Sequence, residues 1–169
     1  RPKSERGNAA VTIRAVLHVL NDGLLPTPLT VEGVSSKGLS VKSRDGTYDL
    51  LELGAGVQAV LALVVDLLRQ VHLRFGRVEV VNGSGPPRVE RSGVVLIDEP
   101  ELHLHVSWQQ KLGFWLKQHF PKVQFIVATH SPFVCQAADP GGLIRLFPAG
   151  ASRAAEVASQ DLYRTVVNG

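Results

Sequence analysis

Asp98 and Glu99 stand side by side at the end of an apolar run, Val94-Val95-Leu96-Ile97. Four apolar, mostly β-branched residues have the pattern of a strand buried on both faces. Adjacent carboxylates at the end of such a strand repel each other and lose solvation, a cost that a bound cation would offset. A second run, Val123 to Ala128, ends in Thr129-His130-Ser131. Parallel strands of one sheet share a C-terminal edge, so Glu99 and His130 are expected to meet although they are thirty-one positions apart. His103 and His105 lie between the two runs. With Asp98, Glu99 and His130 they form a candidate ligand set for zinc or manganese, the equipment of a metal-dependent hydrolase. The bland alternative is a pair of core strands with incidental carboxylates and histidine.

The order of these residues resembles that of ABC-type ATPases. Val94-Val95-Leu96-Ile97-Asp98-Glu99 is similar to a Walker B strand, and Thr129-His130-Ser131 to a switch-histidine segment. Glu101-Leu102-His103-Leu104-His105, followed by Trp108 and Gln109, resembles the E-x-x-L-H-P-x-x-Q stretch of RecF-like and OLD-like ATP-binding proteins of DNA repair and phage defence. Val106 stands where that pattern has proline. Leu53-Gly54-Ala55-Gly56-Val57-Gln58 resembles the signature L-S-x-G-x-Q, which in the family closes on ATP held by the opposite subunit. Gly56 matches the signature glycine, while Gly54 replaces the serine and removes a hydroxyl donor.

The resemblance, from about Leu50 to Phe147, implies ATP and Mg²⁺ as cofactors. It gives Asp98 to magnesium through water, Glu99 to the attacking water, and His130 to the γ-phosphate. Gly54, Gly56, Gln58 and Ser131 become nucleotide-binding candidates. It also implies a second copy of the ATPase as partner, with a nuclease or other effector subunit and DNA as further candidates. One departure is large. No G-x-x-x-x-G-K-[ST] occurs in the chain, so no P-loop lysine or magnesium-binding Ser/Thr is available. Residues 1–169 are therefore expected to be the C-terminal part of an ABC-type ATPase domain, inactive alone, whose Walker A lobe precedes Arg1 or lies on another chain. A non-hydrolysing, ATP-gated scaffold is the second reading, and the metal-dependent hydrolase using Asp98, His103, His105 and His130 the third.

The elements that must hold these residues are legible in outline. The fold class is α/β, a P-loop NTPase lobe with a mostly parallel sheet flanked by helices. Arg1 to Gly7 reads as a charged, frayed end, with Asn8 capping a helix to about Asn21. Asp22-Gly23 and Pro26-Thr27-Pro28 stop that helix. Strands are expected at 29–34, 39–43 and 48–51, with hairpin-turn chemistry in Arg44-Asp45-Gly46-Thr47. After Gly54-Ala55-Gly56, Val57, Val60, Leu61, Val64, Leu67, Leu68 and Val71 recur at helical spacing. A strand is expected at 78–81, and a loop at 82–87. Trp108, Leu112, Trp115 and Leu116 mark the apolar face of a helix over 106–120 that Pro121 ends. A short helix at 133–138, a strand at 143–147 and a weaker helical signal at 161–167 complete the chain.

Composition narrows the class. The 169 residues are 44% apolar and 20% charged, the balance of one globular domain with a real core. The longest wholly apolar run, Ala59 to Val65, is too short to span a bilayer, and no membrane partner is expected. Cys135 is alone, so no internal disulfide forms; this fits a reducing, cytoplasmic setting. The net charge is +3. Arg69, Arg74, Arg77, Arg88 and Arg91 face only Glu79 and Glu90 in their segment, a local excess that could meet phosphates or stay solvated.

Overall fold

The computed structural model describes residues 3–35, 38–150 and 155–158. Helix α1 spans Lys3–Leu20. It starts earlier than the sequence implies: Asn8 lies inside it rather than at its cap, and residues 3–7 are helical, not frayed. The side chain of Asn21 then takes over the pairing of the next element. Its Nδ2 donates to Val31 O (2.9 Å) and its Oδ1 accepts from Val31 N (2.8 Å). That bracket fixes α1 to β1 (Thr30–Ser35), the first strand of an antiparallel sheet with β2 (Gly38–Lys42) and β3 (Thr47–Asp49). Val31, Leu39 and Val41 are buried beneath it.

A single 3-10 turn, Leu50–Glu52, leads to α2 (Ala55–Phe75). The helical spacing in the sequence predicts the buried stripe: Val60, Leu61, Val64, Leu67, Leu68 and Val71 are all inside. By length and apolar content α2 could cross a bilayer, but here that stripe belongs to the protein's own core. Gly76 ends it in the left-handed region (φ 77°), its N–H bonded to His72 O, the geometry for which glycine is suited. The expected strand at 78–81 is absent. Val81 and Arg88 form one isolated antiparallel bridge, and Val78, Pro87 and Val89 tuck an otherwise irregular loop into the core.

Strands β4 (Gly93–Asp98) and β5 (Val123–Ala128) pair in parallel, Gly93 opposite Val123 and Asp98 opposite Ala128. The crossover between them is α3 (Val106–His119). Leu112, Trp115 and Leu116 are buried, as the sequence predicts for this face. Asp22 closes the far end of α3: its backbone O accepts from Trp115 Nε1 (2.6 Å), and its Oδ2 lies 2.8 Å from His119 Nε2. His119 is 1% exposed, and its ring stacks on Trp115 at 4.0 Å. Ser131 caps the short helix α4 (Pro132–Cys135). Residues 144–146 form β6 (Ile144–Leu146), paired antiparallel with β7 (Ala155–Val157), which the sequence does not announce. The helical signal at 161–167 lies outside the described residues.

One expectation fails in an informative way. β4 and β5 are covered on one face only. Val95, Ile97, Val123 and Phe125 pack against the core, while Val94, Leu96 and Ile126 are exposed. Parallel strands are normally covered on both faces.

Candidate functional site

Both parallel strands end on one edge, and the residues just beyond them form the site. Asp98 is the last residue of β4 and is exposed. Glu99 continues the ladder by one bond, its N–H donating to Ala128 O at 2.8 Å. Its φ of 44° is unusual for a residue with a side chain, and such conformations persist where the surroundings enforce them. The twist turns the chain off the sheet into two successive turns, Leu102 N to Glu99 O and Leu104 N to Glu101 O. His103 is left-handed as well, with φ 64°. The Glu99 carboxylate faces His130, with Oε1 to Nε2 3.6 Å. The His130 side chain is 91% exposed and that of Glu99 41%, so both are open to a ligand.

Glu101 builds the His130 loop. Its Oε1 accepts from His130 N (2.7 Å) and Ser131 N (3.2 Å), and its Oε2 accepts from Thr129 Oγ1 (2.6 Å). Burial works to raise its pKa, but the hydrogen bonds from Thr129 and from backbone N–H groups prevail and hold the carboxyl below its ordinary value. Gln109, in the first turn of α3, completes the arrangement: Oε1 accepts from Ser131 Oγ (2.6 Å), and Nε2 donates to Leu104 O (2.9 Å). Both residues lie in the stretch that resembles E-x-x-L-H-P-x-x-Q, and neither has a role assignable from its place in that stretch alone. The spacing did carry a signal: a carboxylate two positions past Glu99 falls on the loop that faces the end of β5.

The glycine segment meets this loop from the side. A Cβ on Gly56 would lie 2.7 Å from His103 O and 3.1 Å from the Trp108 ring, so the signature-like glycine is packed within its own chain. Gly54 is the N-cap of α2 and supplies no side-chain acceptor; a Cβ there would meet nothing within 4 Å. A helix start without a side-chain cap leaves backbone N–H groups for an anion. The Gln58 side chain folds back on the segment before α2, donating to Leu53 O (2.7 Å) and Leu51 O (3.3 Å).

Several expected ligands are committed elsewhere. The Ser131 side chain is an N-cap and a donor to Gln109, and the residue is 6% exposed, so it is a structural group rather than an open binding one. His105 Nδ1 accepts from Ser107 N at the start of α3. Among the described residues no three His, Cys, Asp or Glu converge on a metal position, which removes the geometric basis for a zinc or manganese site at Asp98, His103, His105 and His130. Burial, with the Glu101 charge added, pushes the half-buried Cys135 thiol up and away from reactivity. In the basic segment, Arg77 and Arg91 share Glu79, and Arg69 pairs with Asp66. Arg74 and Arg88 form no ion pair among the described residues.

Known proteins resemble the chain in sequence and in fold. The chain is 39% identical over 101 residues to a retron Ec83 probable ATPase of Escherichia coli, which covers 60% of this chain and 17% of that protein. It is 31% identical over 126 residues to the Septu protein PtuA of Bacillus thuringiensis, covering 73% of this chain and 31% of that protein. The chain thus spans less than a third of the length of these curated relatives. Among solved structures, it superposes with a TM-score of 0.66 and 16% identity on a chain from a study of ATP-driven dimerization and DNA stimulated activation of SMC ATPases, covering 98% and 93% of the two chains. An SMC head bound to the C-winged helix domain of ScpA gives 0.50 at 18% identity, over 80% of this chain and 38% of that one. The fold is therefore that of the α/β P-loop NTPase heads of SMC ATPases. Residues 7–136 match the family described as "AAA domain, putative AbiEii toxin, Type IV TA system", and the chain belongs to it.

Proposed function

We propose that this chain is the lobe of an ATP-hydrolysing ATPase that carries the water-activating carboxylate and the switch histidine. The observation that carries this is the meeting of Glu99 and His130 at 3.6 Å on the C-terminal edge of the parallel pair. The chain has no phosphate-binding loop of its own. The uncovered face at Val94, Leu96 and Ile126 is the surface on which a lobe supplying that loop would pack. Residues 1–169 are then one part of an ABC-type ATPase domain, cytoplasmic and active only when completed.

The residues present fit ATP with Mg²⁺. Magnesium keeps several waters and asks the protein for one or two carboxylates beside the phosphates, so a three-ligand cage is not required. Asp98, at the strand end, would hold magnesium through a water, the ion supplying charge neutralisation beside the phosphates. Bound ATP with its metal supplies the γ-phosphoryl group as electrophile. Glu99 orients and polarises the water, accepting its proton as attack proceeds, and His130 donates to the γ-phosphate oxygens. Phosphoryl transfer depends mainly on such positioning and charge stabilisation. The N–H groups of the α2 N-terminus, at Gly54 and Gly56, would be the ones to meet a nucleotide held by a second copy. ATP-driven dimerisation then gates a DNA-linked activity in phage defence, carried by a nuclease or other effector partner. Direct DNA contact would fall to Arg74 and Arg88, since Arg69, Arg77 and Arg91 are already paired. The non-hydrolysing scaffold finds support in Gly54, where the signature hydroxyl is missing.

Glu99→Gln in the complete protein tests the reading. ATP binding should persist and the ATP-bound dimer accumulate, while hydrolysis slows by about a hundredfold or more, the range of a lost general base. Undiminished turnover would remove Glu99 from the reaction.

A further inference from the structure

We infer that Glu101 is a positioning residue for His130, and that it links the loop after β4 to the loop after β5 as one rigid unit. The inference rests on the ATPase reading for its consequence, but its geometry stands independently. His130 is 91% exposed at its side chain, and an exposed histidine on a strand-end loop has no packing to hold it. What orders it is its backbone. The His130 N–H is bonded to Glu101 Oε1 at 2.7 Å, and no other acceptor for it occurs among the described residues. The Ser131 N–H divides between Glu101 Oε1 (3.2 Å) and Thr129 Oγ1 (3.0 Å). Thr129 Oγ1 in turn donates to Glu101 Oε2 at 2.6 Å. Three consecutive residues of the switch segment thus converge on one carboxylate.

That carboxylate is two residues beyond Glu99. Glu99 itself is pinned by its N–H bond to Ala128 O and by its left-handed backbone. A shift of Glu101 therefore moves both ends of the Glu99–His130 pair, one through the chain and the other through hydrogen bonds. Gln109 supports the same unit from α3, holding Ser131 Oγ and Leu104 O. Bonds from N–H and O–H donors to an ionised carboxylate are about twice as strong as neutral ones, which suits Glu101 to the task. It touches neither Glu99 nor the His130 ring in any of these bonds, so it acts on the reaction only through position.

The test uses the complete ATPase with Glu101→Ala and Glu101→Gln. A glutamine carbonyl can still accept from His130 N and Ser131 N, and the Thr129 hydroxyl can rotate to accept from the amide. Glu101→Ala should lower kcat about a hundredfold with ATP affinity unchanged within about twofold, the signature of a misplaced catalytic group. It should also speed amide hydrogen exchange in the peptide spanning 129–131. Glu101→Gln should restore most of kcat and most of the protection. Wild-type kcat in Glu101→Ala would overturn the inference. So would a Glu101→Gln as slow as Glu101→Ala that keeps wild-type exchange protection over 129–131, because the loop would then be in place and the charge itself would act directly. Glu99→Gln in the same assay reports on the ATPase reading alone. If it turns over normally while Glu101→Ala is slow and exchanges fast, the reading of Glu99 falls and the positioning role remains.

Discussion

On one face of β4–β5, Val95, Ile97, Val123 and Phe125 pack against the core; on the other, Val94, Leu96 and Ile126 are 62%, 76% and 50% exposed. Both faces carry large apolar residues, although the outer one also includes Asp98 and Gln124. The larger difference is one of cover: the buried core lies against the inner side, and nothing among the described residues fills the outer. The same contrast recurs at the glycines. Gly56 is closed in by His103 and Trp108, whereas Gly54, two positions earlier, has open space around it. Apolar character or a motif match therefore does not tell which contacts this chain makes for itself and which it leaves for something else.

Substitutions can break that comparison, and the largest effect is expected inside the sheet. Ile97→Ala should cost about 2 kcal/mol of stability, while Leu96→Ala in the same strand costs under about 0.5 kcal/mol in this chain. Denaturant titration of both variants measures the difference. Equal losses would mean that the outer face is covered in solution, for example by a second copy. A loss at Leu96 that emerges only when the phosphate-binding lobe is present would identify that lobe as the cover.

Gly56→Ala should come next, at about 1–2 kcal/mol, because the added methyl presses on the His103 carbonyl, a backbone atom with little freedom. The structure thus sets an obstacle to a Gly56 side chain within this chain, beside the nucleotide in trans that the signature resemblance implies. Thermal unfolding of the variant without nucleotide separates the two: an unchanged melting temperature would return Gly56 to a purely intermolecular role. Gly54→Ser should have the smallest effect, a gain of a few tenths of a kcal/mol, since serine caps slightly better than glycine and meets no neighbour. A clear loss of stability there would show that the open space around Gly54 is occupied.

The sequence by itself determined the pieces whose signals are local. The stripe on α2 follows from apolar spacing at 3.6 residues per turn, and β4 and β5 from short β-branched runs. Their parallel pairing, and with it the meeting of Glu99 and His130, follows because a helix-length crossover joins them. It failed where local signals mislead. Val78 to Val81 reads as a strand, but the segment finds only one bridging partner, at Arg88, and buries Val78 as a loop. The pairing of β6 with β7 is announced by no short-range pattern.

Only the tertiary structure decided the hydrogen-bonding roles. Glu101 looks like one more exposed carboxylate until β5 delivers Thr129, His130 and Ser131 to it. Ser131 looks like a ligand until Gln109 and the first turn of α4 claim its hydroxyl. His119 becomes a structural residue only because Asp22, far away in sequence, closes over it. A hydrogen bond depends on distances and angles good to a few tenths of an ångström, and residues remote in sequence acquire those only when the whole chain has packed. Spacing along the chain specifies which face a residue is on; which partner waits there is a property of the assembled fold.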